Sequence, residues 1–123
     1  NLRNEIKKNK KIYFYDNGVR NTIIGNFNPL ELRQDTGALW ENFLISERLK
    51  QNKYYNTNAK MYFWRTKQQQ EVDLVEEHNG IISGYEFKWN NKKKVRLPKT
   101  FVNAYKAKEI VIDKNNFREF IKI

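Results

Sequence analysis

The sequence predicts an α/β fold of the α+β kind: a central mixed sheet of about four strands flanked by helices, in the order helix, three mostly antiparallel strands, helix, strand. Three observations predict it. From Ala38 to Lys50 the apolar residues Leu39, Trp40, Phe43, Leu44, Ile45 and Leu49 form a broad stripe at helical spacing. Asn79-Gly80 then separates two strand-like runs, and Asn-Gly is the strongest short-range hairpin signal because a type I′ turn needs positive φ at both central residues. Finally, Pro98 suits the first turn of a helix, and the run Glu109-Ile110-Val111-Ile112 behind it reads as a buried fourth strand.

Taken in order, Asn1 to Lys11 is a basic run with Leu2 and Ile6 at helical spacing. Lys11-Ile12-Tyr13-Phe14-Tyr15 reads as a short strand stopped by Asp16-Asn17-Gly18. Val19, Ile23 and Ile24 mark a short helix ended by Gly25-Asn26, and Asn28-Pro29 marks a turn. Asp35 and Thr36 are cap residues for the Ala38–Lys50 helix, on which Glu41 lies near the margin of the buried face and Glu47 is expected to be solvated. A polar loop, Gln51 to Lys60, leads into the aromatic strand Met61–Arg65 and then the hairpin Glu71–Trp89. The basic segment Asn90 to Lys94, with Arg96 behind it, is either a solvated loop or a phosphate-contacting edge. A helix from Pro98 to about Ala107 turns Phe101, Val102 and Tyr105 inward, and the tail Asn116–Ile123 is expected to form a short helix.

Composition narrows the function classes. The 123 residues suffice for one domain, 1–123, burying roughly two-thirds of its unfolded surface. With 24 Lys and Arg against 14 Asp and Glu the chain carries +10, which favours polyanionic partners such as nucleic acid, although Lys-rich solvated faces give the same excess. Cysteine is absent, so disulfides and Cys-ligated zinc are excluded; this fits a reducing, cytoplasmic setting. The single histidine, His78, lies beside the predicted turn and is a poor zinc candidate. No apolar run is long enough to span a membrane, and no glycine is followed by the Lys-Ser/Thr pair of a nucleotide-binding P-loop.

The hairpin carries the chemistry. If Asn79-Gly80 is the whole loop, paired positions sum to 159, which sets Asp73 opposite Glu86 and Glu71 opposite Lys88. Side chains directly across an antiparallel pair are roughly 5 Å apart at Cβ, and two ionised acids at that distance repel by about 3 kcal/mol at an effective dielectric of about 20. A divalent cation removes the difficulty, since oxygen-rich sites with one or two carboxylates plus phosphate and water suit Mg²⁺. Alternation puts Lys88 on the face of Glu86 and turns Tyr85, Phe87 and Trp89 the other way. A plain solvated hairpin with a Glu71–Lys88 pair accounts equally well for the pattern alone. Glu41 has its own bland reading, interaction with the positive end of its helix.

Glu41 on the helix, Asp73 on the second strand and Glu86-Phe87-Lys88 on the third resemble the ordered motifs of the PD-(D/E)XK, restriction-endonuclease-like nuclease superfamily. More closely, Lys11 to Gly18, Gly37-Ala38-Leu39-Trp40-Glu41-Asn42-Phe43, Tyr62 to Thr66 and Glu71 to Val75 resemble the domain of unknown function at the C-terminus of many prokaryotic AAA-type ATPases. That resemblance implies a nuclease-like fold, a fragment of a longer chain, and an upstream ATPase in the same polypeptide. Val72 stands where the superfamily name places Pro. The expected function is phosphodiester hydrolysis of nucleic acid, DNA being favoured, with Mg²⁺ or Mn²⁺ held by Asp73, Glu86, a carbonyl near Phe87 and Glu41. Lys88 is expected to stabilise developing phosphorane charge or orient water, and Lys92, Lys93, Lys94, Arg96 and Arg65 to contact the nucleic acid. The alternative is a non-catalytic module that keeps the fold to dock DNA or protein.

Overall fold

The computed structural model describes residues 6–8, 17–25, 36–89 and 96–122. The strand expected at Lys11–Tyr15 and the basic run Lys92, Lys93 and Lys94 lie outside them. The elements are β1 (Ile6–Lys8), α1 (Asn17–Gly25), α2 (Thr36–Tyr54), β2 (Lys60–Arg65), β3 (Glu71–His78), β4 (Ile81–Phe87), α3 (Lys99–Tyr105), β5 (Lys108–Ile112) and α4 (Phe117–Ile121). From α2 to β5 this is the predicted order. Ile6–Lys8, read as part of a run with helical spacing, instead adds a fifth strand at the sheet edge, antiparallel to β2.

Strands run β1-β2-β3-β4-β5 across one mixed sheet, antiparallel except for the parallel β4–β5 pair. That last pairing needs a crossover, which α3 supplies. Asn79 and Gly80 have φ of 53° and 80°, the left-handed pair that a type I′ turn requires. The ladder consequently has the predicted register, from His78↔Ile81 to Leu74↔Tyr85.

Two apolar clusters sandwich the sheet. On one side Leu74, Tyr85, Phe87 and Ile112 meet Trp40, Phe43, Leu44 and Ile45 of α2, Ile23 of α1 and Phe117, Phe120 and Ile121 of α4. On the other side Trp64, Val72 and Val75 meet Leu97 and Phe101. Gly84 allows that second layer to come close: a Cβ there would lie 2.7 Å from both Leu97 Cδ1 and Phe101 Cε2. Helix α3 ends at Tyr105, short of the expected Ala107, because Lys106 turns into the left-handed region (φ 49°) and caps back to the Val102 carbonyl.

Two expectations on α2 are corrected. Leu49 is 43% exposed, since nine residues at 100° each put it half a turn away from Trp40. Glu47 is 2% exposed and not solvated: it occupies the i+7 position of the Trp40-Phe43-Leu44 stripe. Its charge is met by Arg20 Nε at 2.7 Å and Lys50 Nζ at 2.7 Å. Among the described residues, no helix is long and apolar enough to cross a membrane.

Candidate functional site

The acids meet where the hairpin departs from regular pairing. Between β2 and β3, Tyr62 faces Val75 and Trp64 faces Val72, so three steps along β3 match two along β2. The surplus residue falls at Asp73-Leu74, a bulge of the kind that re-aims side chains. It explains why Val72 and Val75 pack in the same cluster although an odd spacing would separate them in a flat strand. Leu74 points into the opposite cluster. Asp73 bends toward β4, where its Oδ2 accepts the Phe87 backbone N–H at 3.1 Å.

Glu86 is strongly perturbed. Burial pushes its carboxyl up, the Asp73 charge and an Asp73–Glu86 side-chain hydrogen bond push further, and Glu41 adds a smaller push; Lys88 opposes them, leaving Glu86 raised to about 7. Lys88 Nζ stands 3.7 Å from Glu86 Oε1, with the Glu86 side chain 19% exposed and that of Lys88 46%. Burial and a like charge held close both raise the proton affinity of a carboxylate.

Glu41 reaches this group through its neighbour. Trp40 is fully buried against Trp89 and Phe117, with ring centroids at 5.0 and 5.1 Å, and its Nε1 donates to the Lys88 carbonyl at 3.0 Å. That bond ties the first turns of α2 to the end of β4. Helical spacing predicts a core role for Trp40, and its place beside Glu41 is the sequence signal for this second role.

The structure therefore brings Asp73, Glu86 and Lys88 together, with Glu41 near enough for its charge to act on Glu86. Among the described residues no three His, Cys, Asp or Glu side chains group closely enough to form a metal cage. A cation would thus rest mainly on the Asp73–Glu86 pair. Phe87 contributes its N–H to Asp73. The predicted Glu71–Lys88 pairing does not form, because Glu71 joins Arg65 across β2 at 3.3 Å. Arg65 also binds Gln69, and Arg96 lies 3.8 Å from Glu109, so both proposed phosphate contacts already have partners at exposed positions.

Fold and acid pair define an α+β domain whose central hairpin presents two carboxylates and a lysine. The chain belongs to the family described as domain of unknown function DUF4143, which it matches over residues 36–122, from α2 through α4. It is 33% identical over 90 residues to the uncharacterized protein Rv2008c of Mycobacterium tuberculosis and, equally, to the uncharacterized protein Mb2031c of Mycobacterium bovis. Each match covers 72% of this chain and 20% of the relative, so the chain spans about one-fifth of the length of these curated relatives. No solved structure matches it.

Proposed function

We propose that this domain is a divalent-metal-dependent nuclease module, cytoplasmic and joined to a P-loop ATPase in a longer polypeptide. The observation that carries the reading is the Asp73–Glu86 pair beside Lys88, in which burial first and the Asp73 charge second raise Glu86 to about 7. Carboxylates in excess of their counter-charge fit Mg²⁺ or Mn²⁺, and Asp73 and Glu86 would hold it, with the Phe87 backbone alongside. A cation bound there supplies Lewis-acid polarisation of the scissile phosphate and acidifies water.

The chain's own groups do the remaining work. Lys88, half exposed beside Glu86, neutralises charge building on the phosphate or orients the attacking water. Glu41 adds negative charge that strengthens cation binding. The Phe87 N–H fixes Asp73 so that its second oxygen has a set direction. The +10 charge supports nucleic acid as substrate, with DNA favoured.

The other reading is a docking module that keeps the fold without hydrolysis. It is favoured by the hydrogen bond between Asp73 and Glu86 and the lack of a third grouped acid among the described residues, since a proton alone can reconcile the pair. The test is cleavage of labelled DNA and RNA by the full polypeptide in Mg²⁺ and Mn²⁺. Asp73→Asn and Glu86→Gln should each lower the rate at least about a hundredfold, a loss of roughly 2.7 kcal/mol in transition-state stabilisation, with an unchanged circular-dichroism spectrum. A wild-type protein that cuts neither nucleic acid in either ion overturns the hydrolytic reading.

A further inference from the structure

We infer that the C-terminal end of α2 is a stacking platform for single-stranded nucleic acid, formed by Tyr54 and Tyr55 and flanked by Lys53 and Lys122. Tyr54 is 81% exposed and Tyr55 53%, at a point where an aromatic side chain gains nothing from its own core. Their rings lie 5.0 Å apart at 81°, and the Lys122 ammonium sits 4.4 Å over the Tyr55 ring. The backbone beneath is fastened: Tyr55 N–H donates to Gln51, Asn56 N–H to Lys53 and Thr57 N–H to Asn52, so the phenols are presented from a closed turn. Asn56 and Asn58 take the left-handed φ values of 51° and 60° that the turn needs.

Charge decides the occupant. Lys53 and Lys122 have no carboxylate at ion-pair distance among the described residues, whereas the acid closest in sequence on the same helix, Glu47, is buried and already met by Arg20 and Lys50. Flat rings beside these two ammonium groups match the alternation of base and phosphate along a single strand, and stacking tolerates any base. A duplex hides its base faces and would engage the lysines alone. The platform lies 13 residues along α2 from Glu41, roughly 20 Å at 1.5 Å per residue, so it is separate from the acid pair. The inference goes beyond the hydrolytic reading and survives its failure, because binding is measured without divalent ions.

The experiment is fluorescence anisotropy with labelled oligothymidylate and a matched duplex, in EDTA, using the full polypeptide. Tyr54→Ala combined with Tyr55→Ala should weaken single-strand binding at least about tenfold and duplex binding less than twofold. Tyr54→Trp, which keeps a flat ring, should retain affinity and show emission quenched by bound oligonucleotide. Equal loss for both nucleic acids would reduce the patch to unspecific charge and overturn the proposal. Unchanged single-strand affinity would overturn it as well, and an accompanying change in oligomeric state on sedimentation would assign the tyrosines to a protein contact.

Discussion

Two acidic groups on one hairpin face opposite electrostatic fates. Glu76 on β3 lies three residues from Asp73, is 6% exposed, and is satisfied from every side. Arg48 of α2 reaches it with Nε at 2.8 Å and Nη2 at 2.8 Å, Asn52 Nδ2 donates at 3.2 Å and the Tyr85 hydroxyl at 3.4 Å. Burial works to raise Glu76, yet the Arg48 hydrogen bonds and charge, with Asn52 and Tyr85, outweigh it and hold the carboxyl below its usual range. Burial and the Glu76 charge push Tyr85 up to about 12, so it stays a neutral donor. Arg48 also donates to the Phe120 carbonyl at 2.7 Å and lies 4.5 Å over that ring, so one guanidinium pins α2, β3 and α4 together. Glu86, by contrast, is partly buried against another acid with one half-exposed lysine at 3.7 Å. The same fold that meets one acid with a guanidinium leaves the other beside a like charge.

Breaking the satisfied group should have the largest effect on stability. Arg48→Ala strands a buried carboxylate and loses three contacts to neighbouring elements, and is expected to cost about 3–5 kcal/mol in urea denaturation. Glu76→Gln keeps the shape and should cost less, about 1–3 kcal/mol. Cleavage per folded molecule should change little in either variant, because neither residue touches the acid pair. If Arg48→Ala proves neutral, the contrast between the two groups fails.

The amide exchange at the other group should have the opposite sign. Glu86 binds its proton more tightly folded than unfolded, so between pH 4.5 and about 7 the folded state holds the extra proton and stability falls as pH rises through that window. Ionising Glu86 in these surroundings therefore costs the folded state stability at and above the top of that window. Glu86→Gln should therefore stabilise the protein by about 1–3 kcal/mol at pH 8, leave it nearly unchanged at pH 5, and flatten the pH dependence, while abolishing divalent-ion binding. Glu76 works in reverse: its lowered carboxyl stabilises the fold above about pH 4.5 and that contribution is lost as acid protonates it. Thermal unfolding across pH 4–9 separates the two. A Glu86→Gln variant no more stable than wild type at pH 8 would show that Asp73 and Glu86 do not repel.

How much of this was readable beforehand depends on which residue is asked. The hairpin register followed from Asn79-Gly80, because a two-residue turn leaves the ladder no freedom, and the α2 stripe followed from its spacing. The bulge did not follow, although Val72, Leu74 and Val75 already break strict alternation; the eye takes three apolar residues in a strand as burial on both faces. Glu47 is buried against the expectation from its residue type, because its position seven residues after Trp40 puts it on the buried side. The Arg48–Glu76 pin joins residues 28 apart in sequence, and Arg48 reaches Phe120 over 72, separations at which no local pattern operates.

A third acid on the same hairpin calibrates both ends of the comparison. Glu71, 46% exposed, pairs with Arg65, 52% exposed, at 3.3 Å across β2 and has neither the satisfaction of Glu76 nor the conflict of Glu86. Water screens both partners and the long side chains lose rotamer freedom on pairing, so the interaction should be small. A double-mutant cycle of Glu71→Gln and Arg65→Gln should give a coupling of about 0.5 kcal/mol or less that shrinks further in 1 M salt. Because Glu71 stands two residues before Asp73, Glu71→Gln also maps how far the acidic site extends along β3. A cleavage rate within about twofold of wild type confines it to the bulge and β4, whereas a loss as large as that of Asp73→Asn would move the site toward the β2 edge.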